Sequence, residues 1–322
     1  MMRPRIKVLM LITTSFVPYG GLTTVAMNYY RNIDHSMFQV DFASTNDCLQ
    51  KLSEELTKSG SRYFKLPSRM RSPLLYMRKL YDISGKYDIV HIHGNSATTV
   101  LELLPAKLAG VKKRIVHIHN TKSDHPIAHT LLYPLMKYLM TDAVACSNAA
   151  GEWIFKNGNY NVLNNAIDLS KYSYNDVTRT QIRLEYGIDP DSFVIGHVGK
   201  FVEQKNHLFL IDVFSKVIEK NKNAKLMLVG DGPMRNNIEE KIKERKLNTQ
   251  VVLCGMQENA SKFLSAMDIV VFPSLWEGLP LSLLEAQANG LLCVASDVIT
   301  SEVNRGGYNR YRYQKMPLYG LT

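Results

Sequence analysis

The 322-residue sequence lacks any run of eighteen apolar residues, so it predicts no membrane-crossing helix. The apolar stretch near the start, through Ile12, is short and has no small-residue cleavage site behind it. With Gly20-Gly21 following, it reads as a buried first strand, not as a leader. Cysteine is sparse: Cys48, Cys146, Cys254 and Cys293 are scattered without paired spacing, which fits reduced thiols in a cytosolic protein better than a disulfide set or a zinc site. There is no obvious internal repeat. Neither Gly20-Gly21-Leu22-Thr23-Thr24 nor Gly196-His197-Val198-Gly199-Lys200 has the spacing of a dinucleotide fingerprint. No nucleic-acid motif accompanies the net charge of +10. Finally, no acid or cysteine stands at ligand spacing beside the histidines, so no metal and no cofactor is expected.

With 45% hydrophobic residues the chain can bury two cores. Strand-length apolar runs alternate with helical patterns, the rhythm of parallel sheets with crossover helices. Strands are expected near 7–12, 39–43, 89–92, 114–118 and 143–146, and again near 192–198, 225–229, 250–253, 269–272 and 292–295. Between the two sets the sequence turns polar and reads as a linker with a short helix. The domains expected are 1–168, a linker at 169–191, a second domain at 192–303 and a tail at 304–322.

The most informative segment is Glu277-Gly278-Leu279-Pro280-Leu281-Ser282-Leu283-Leu284-Glu285. It follows an apolar strand and enters a helical pattern, so two carboxylates bracket a turn and a helix start. Open α/β sheets bind ligands at such carboxyl ends. The unpartnered N–H groups of a helix start favour an anion such as phosphate.

Gly20 and Gly21 follow the first strand and open a helix, a weaker signal of the same kind. Lys200 and Lys205 follow the first strand of the second half, where two ammonium groups could neutralise a diphosphate, although an exposed basic loop looks the same. Gly230 and Gly232 end another strand and suit either close approach to a planar base or a plain turn. His91 and His93 end one strand and His117 and His119 the next, each pair on one face. His119, at the mouth of its strand, is the one expected to face a ligand.

Two basic clusters stand out. Arg69, Arg71, Arg78 and Lys79 interleave with Leu74, Leu75, Tyr76 and Met77, and Lys112-Lys113-Arg114 precedes a strand. They suit anionic lipid headgroups or phosphorylated substrates, and equally a solvated helix face. The tail from Arg305 to Thr322 holds four basic residues and four tyrosines without an acid. It could stack on bases, or it is simply an aberrant terminus.

Together these elements resemble the retaining glycosyltransferases of family 4, particularly those of bacterial exopolysaccharide and capsule assembly. The resemblance rests on Gly20-Gly21 with Met27-Asn28-Tyr29-Tyr30-Arg31-Asn32, on Asp88-Ile89-Val90-His91-Ile92-His93, and on His117-Ile118-His119-Asn120-Thr121. Further matches are Cys146-Ser147-Asn148-Ala149-Ala150 and Asn164-Asn165-Ala166-Ile167-Asp168. In the second half they are Gly199-Lys200-Phe201 with Gln204-Lys205-Asn206-His207, Val229-Gly230-Asp231-Gly232, and the Glu277 to Ala288 segment.

The resemblance implies a GT-B fold, two Rossmann-like doubly wound α/β domains facing across a cleft. It implies transfer of a sugar from a UDP- or GDP-linked donor to a saccharide or lipid-linked acceptor, with retention of configuration and no metal. Glu285 would bind the ribose hydroxyls. Glu277 with Gly278, Leu279 and Pro280 would contact the donor sugar, and Lys200 and Lys205 would grip the diphosphate. His119 would touch the sugar hydroxyls, Gly20 and Gly21 would lie beside sugar and phosphates, and Gly199 and Gly230 complete the donor set. An NDP-sugar and a saccharide or lipid-linked acceptor are the expected partners, with contact to an anionic membrane and no nucleic acid. The place of action would be the cytoplasm, at the inner face of the membrane.

Two departures qualify this. Lys200 stands where the family usually has arginine, keeping the charge but not the bidentate fork. Past Ser301-Glu302-Val303 the resemblance gives out where a sixth strand and further helices are usual. The second domain is therefore expected to be incomplete, with an exposed sheet edge. The alternative readings are a truncated, non-catalytic remnant that binds nucleotide weakly, and a basic nucleic-acid-binding protein.

Overall fold

The structure, a computed structural model, describes residues 4–156 and 158–304, and the backbone of 313–316. The chain divides into two compact units, 1–166 and 167–322.

The first unit alternates strands and helices: β1 (Ile6–Ile12), α1 (Gly21–Asn32), β2 (Phe38–Ser44), α2 (Gln50–Lys58), β3 (Tyr63–Lys65), α3 (Pro73–Ser84), β4 (Ile89–Gly94), α4 (Val100–Leu108), β5 (Lys113–Ile118), α5 (Pro126–Leu139), β6 (Asp142–Ala145), α6 (Asn148–Phe155) and β7 (Asn161–Val162). All neighbouring strands run parallel, in the order β3-β2-β1-β4-β5-β6-β7. Strands buried on both faces read as continuous apolar runs, hence the sequence IKVLMLI of β1, whose last five residues are buried. Its core gathers Met10, Ile12, Phe16, Met27, Tyr30, Phe42 and Leu56.

The second unit opens with α7 (Asp176–Glu185), followed by β8 (Phe193–Val198), α8 (His207–Lys220), β9 (Ala224–Val229), α9 (Arg235–Glu244), β10 (Val251–Gly255), α10 (Ser261–Leu264), β11 (Ile269–Phe272), α11 (Leu281–Asn289), β12 (Leu292–Ser296) and β13 (Tyr313–Met316). The sheet order is β10-β9-β8-β11-β12-β13, again parallel throughout. Phe201, Leu210, Phe214, Leu226, Leu228 and Ile238 centre its core. The segment expected as a linker packs into this unit: Arg179 and the buried Arg183 of α7 both reach the carboxylate of Asp268, at 2.7 and 2.9 Å. The same carboxylate accepts the backbone N–H of Val194 at 2.7 Å, pinning the start of β8.

One expectation about the end of this sheet changes. The β12 edge is not left open, because the backbone of Tyr313–Met316 pairs with Cys293–Ser296 as a sixth parallel strand. An Arg/Tyr-rich segment hides this role, since it has none of the apolar continuity of a buried strand. The rest of the tail, 305–312 and 317–322, lies outside the described residues, and so does its reading as a base-stacking surface.

In both units the strand order reverses direction beside the first strand, between β1 and β4 and between β8 and β11. Crossovers leave to opposite sides there, opening a crevice beyond the carboxyl ends of the strands.

Candidate functional site

In the second unit the loops that follow β8 and β11 flank that crevice and are tied together. Leu275 N–H donates to Gln204 O at 2.8 Å, and the Gln204 amide donates to Trp276 O at 2.8 Å. Between them Lys205 Nζ meets Glu277 Oε1 at 2.5 Å, with both side chains largely buried. Two predicted site residues, 72 positions apart, thus form one ion pair at the switch point. Lys200 is exposed at the start of the same loop. Gly278, Leu279 and Pro280 are buried within the unit; Leu279 has its side chain in the core, so only its backbone can face a ligand. Pro280 precedes α11, whose start carries no side-chain cap.

Two histidines that the sequence reading left without a role sit beside Lys205. His197 Nδ1 contacts Val271 O at 2.8 Å, and His207 packs edge-on against both His197 and Phe201 at 4.7 Å. Burial pulls the His197 pKa down to about 4 and that of His207 to about 2, the Lys205 charge adding to the effect. Both rings are therefore neutral and add no positive charge beside Lys205.

Gly199 and Gly230 are also brought together, for a reason internal to the fold. Gly230 has φ +146°, and a Cβ built there would stand 2.0 Å from the Gly199 carbonyl oxygen. Phe201 N–H donates to Asp231 O at 2.9 Å and Met234 N–H to Phe201 O at 3.0 Å, so the loops after β8 and β9 are laced backbone to backbone. Gly230 is required by this close approach whatever binds nearby.

Glu285, in the second turn of α11, is paired with a residue that sequence reasoning missed. The Tyr172 hydroxyl donates to Glu285 Oε1 at 3.0 Å. The Asn289 amide donates to the Tyr172 carbonyl at 2.9 Å and holds that backbone against α11. Burial raises the Glu285 pKa above the ordinary carboxylate range, and the Tyr172 hydroxyl opposes the rise. The only signal for Tyr172 would have been an aromatic in a polar segment.

In the first unit, Gly20 caps α1 and Gly21 begins it, directly beyond the β1 crevice. A Cβ at Gly21 would meet nothing within 4 Å, so the protein itself does not require glycine there. Asn28 and Tyr29 of α1 brace the segment that leaves this unit: Asn28 donates to Ala166 O at 2.8 Å and Tyr29 to Leu163 O at 3.2 Å. Part of the motif that carries the resemblance is thus structural.

The four histidines do share one face, as the strand period requires. His91 Nε2 lies 3.3 Å from His117 Nδ1, and His93 Nδ1 lies 3.0 Å from His119 Nε2. The Tyr29 ring stacks on His117 at 5.9 Å. Burial lowers all four pKa values, to about 4 for His91 and about 3 for His119, and repulsion from neighbouring histidines adds to the effect at His93, His117 and His119. His119 is half-buried and neutral, fit to exchange hydrogen bonds with a hydroxyl. The ring nitrogens of His91, His93 and His117 come within 4.8 Å of one another, with no acid or thiolate in the group.

The basic clusters separate into two kinds. Arg69 is not a surface charge: it binds Glu102 at 2.7 and 3.1 Å and the Thr98 carbonyl at 2.6 Å, because Glu102 and Tyr76 are buried and need a partner. Arg114 donates to Leu139 O at 2.7 Å at the end of α5, and Lys113 pairs with Asp142 at 3.2 Å. Arg71 and Lys79 remain exposed.

Two parallel-sheet α/β units with this strand order define the GT-B class, and solved structures agree. The UDP-glucose complex of HepE from Anabaena superposes with a TM-score of 0.78 at 18% identity, covering 98% of this chain and 87% of that one. A family model described as "Glycosyltransferase Family 4" matches residues 19–171, and one described as "Glycosyl transferases group 1" matches 192–315. EpsF of Bacillus subtilis (strain 168), a glycosyltransferase by name, is 35% identical over 302 residues, spanning 89% of this chain and 78% of EpsF. A UDP-Gal:alpha-D-GlcNAc-diphosphoundecaprenol alpha-1,3-galactosyltransferase of Escherichia coli is 30% identical over 301 residues, 87% of this chain and 76% of that protein. The chain belongs to glycosyltransferase family 4. The group 1 match carries the similarity to residue 315, beyond the boundary expected at Val303.

Proposed function

We propose that the protein transfers a sugar from an NDP-sugar to a saccharide or lipid-linked acceptor, with retention of anomeric configuration, in exopolysaccharide or capsule assembly. The Lys205–Glu277 pair at the β8/β11 switch point is the observation that carries this reading. A uridine diphosphate donor is favoured by the fold shared with HepE, which binds UDP-glucose. A lipid-diphosphate acceptor is favoured by the likeness to the Escherichia coli galactosyltransferase. Work on such substrates would fall on the cytoplasmic side of the membrane.

Breaking the bond between anomeric carbon and phosphate builds positive charge on the ring and negative charge on the departing diphosphate. In this reading Lys205 and Lys200 take the negative charge, joined by the N–H groups at the start of α11. The arriving diphosphate competes with Glu277 for the Lys205 ammonium and releases the Glu277 carboxylate toward the donor sugar. Glu285 accepts hydrogen bonds from the ribose hydroxyls, with Tyr172 holding its carboxylate. Gly199 and Gly230 flank the nucleotide, and Gly278, Leu279 and Pro280 offer backbone to the sugar, while Gly20 and Gly21 are proposed as backbone contacts to a sugar in their own unit. His119, neutral, binds a sugar hydroxyl. The acceptor hydroxyl attacks from the face the diphosphate leaves, and a leaving phosphate oxygen takes its proton. The charge balance is met by side chains and helix-start N–H groups, so this reading calls for no metal.

Thermal shift with a panel of nucleotides tests the donor site, since a ligand bound only by the folded state raises its stability. UDP or GDP should raise the melting temperature and adenosine diphosphate should not. Proton NMR of the product's anomeric coupling then reads the stereochemistry. An inverted product would overturn the mechanism, and the absence of stabilisation by either nucleotide would overturn the donor assignment.

A further inference from the structure

The four histidines on β4 and β5 hold a chemistry that the proposed transfer does not use. Side chains alternate along a strand, so His91 and His93 share one face of β4, and His117 and His119 one face of β5. The register pairs His93 with His117, which sets the two rows side by side on neighbouring parallel strands. Neighbouring imidazoles are thereby packed with ring centroids 4.1 to 5.4 Å apart.

Hydrogen bonding within the cluster leaves a deficit. A neutral imidazole has one N–H and one lone pair, so both of its nitrogens need a partner. The contacts His91–His117 and His93–His119 use one nitrogen of each ring. His93 Nε2, His117 Nε2 and His119 Nδ1 are buried and have no hydrogen-bond partner among the described residues. Buried polar atoms are nearly always satisfied, so three orphans in one cluster call for a partner of another kind.

The spacing suits a metal ion. His91 Nε2 and His117 Nδ1 stand 3.3 Å apart, at the long end for a hydrogen bond. Two nitrogens bound to a tetrahedral zinc at about 2.0–2.1 Å are themselves about 3.3–3.4 Å apart. The ligand nitrogens of His91, His93 and His117 all lie within 4.8 Å of one another. Shifts of about 1.5 Å or less therefore bring the third nitrogen to ligand spacing. Because the rings are neutral, their lone pairs are available without the loss of a proton. Three imidazoles need no acid beside them, since tris-histidine sites hold zinc and leave the fourth position to water. His91 is half-buried, which leaves the set a side open to solvent. Sequence spacing hides such a set, because two members lie on one strand and the third on the next.

We propose that His91, His93 and His117 form a binding site for a divalent transition-metal ion such as zinc. A donor set of nitrogen alone disfavours magnesium and calcium, which take oxygen ligands. The site belongs to the first unit, and the charge balance proposed for Lys205 and Glu277 of the second does not draw on it.

The test is titration of the full chain, free of any affinity tag and stripped with a chelator, with zinc, magnesium and cobalt(II) ions. Calorimetry should show one equivalent of zinc bound, with a rise in melting temperature, and magnesium should produce neither. Cobalt should give the intense visible bands of a tetrahedral ion, a reading that needs no substitution. His91→Gln and His93→Gln should each weaken zinc binding by about a hundredfold or more. His125→Gln, at an exposed histidine outside the set, should leave it unchanged. Circular dichroism checks that the variants fold; should the buried His93→Gln fail to, His91→Gln and the cobalt spectrum decide. No stoichiometric zinc binding, the weak bands of octahedral cobalt, or affinity undiminished by the substitutions in the set overturns the proposal. Binding lost in His125→Gln assigns the ion to the surface and overturns it too. None of these readouts involves sugar transfer, so failure of the metal site and failure of the transferase reading are told apart.

Discussion

The Tyr172 hydroxyl and the Glu285 carboxylate meet at 3.0 Å, joining the segment that leaves the first unit to the second turn of α11. The bond holds in place an acid that burial would otherwise push toward its neutral form. Tyr172→Phe should therefore raise the donor KM by about tenfold, in line with a lost hydrogen bond to a charged group, and leave kcat nearly unchanged. The folded Glu285 pKa should rise further, so the acid limb of the kcat/KM profile moves to higher pH. A KM equal to that of the parent across the profile would remove Tyr172 from the donor site.

Lys205 and Glu277 are buried together, so removing the lysine takes its ammonium away from a buried carboxylate. Lys205→Met should cost about 3 kcal/mol of stability, read from urea unfolding. Adding Glu277→Gln should recover most of that loss. Turnover should stay low in the double variant, because the cation that balances the diphosphate is gone. Recovery of stability and turnover together would make the pair purely structural.

The histidine quartet predicts acid sensitivity. A histidine whose folded pKa lies below its unfolded value of about 6.5 takes up its proton only in the unfolded chain between those two values. Stability therefore falls as pH drops through that window and is fully present above it. Since His91 and His119 titrate near 4 and 3 in the folded protein, the loss should run from about pH 6.5 down to about pH 4. Each histidine contributes up to about 1.4 kcal/mol per pH unit. Melting temperature against pH should show this slope, and His91→Gln should reduce it. A flat profile would contradict the neutral quartet.

Gly230 tests the backbone lacing of the loops after β8 and β9. At φ +146° with the Gly199 carbonyl only 2.0 Å from any Cβ, Gly230→Ala must push the loops apart. A loss of about 3 kcal/mol or more is expected, with reduced nucleotide affinity. Gly21→Ala meets open space, so the protein should keep its stability while donor KM rises, if the sugar approaches there. Loss of stability at Gly21, or none at Gly230, would reverse these assignments.

Much of the architecture was legible because buried parallel strands are near-continuous apolar runs, as in β1, β9 and β11. β3 and β7 were not, being three and two residues long, too short for a period to show. β13 escaped because Tyr313–Met316 has the composition of a basic tail. In the site, Lys205 and Glu277 were each visible as loop residues after a strand, but their pairing depends on β8 and β11 being neighbours, which topology decides. Tyr172 was hidden for the same reason: its partner lies 113 residues away. Arg69 looked like part of a surface cluster because sequence shows its basic neighbours and not the buried Glu102 beneath it. Charge reads as surface until the fold supplies a buried counter-ion.

The central claim is that the crevice of the second unit holds a sugar nucleotide through Glu285 and Lys205. Its most direct measurement is donor-dependent release of nucleoside diphosphate in a coupled assay with UDP-sugars and GDP-sugars, comparing the parent with Glu285→Ala. The account predicts release with at least one donor and a fall of about a hundredfold or more in kcat/KM for the variant, which should remain folded. Release that Glu285→Ala leaves undiminished, or no release from the parent with any of these donors, would contradict it.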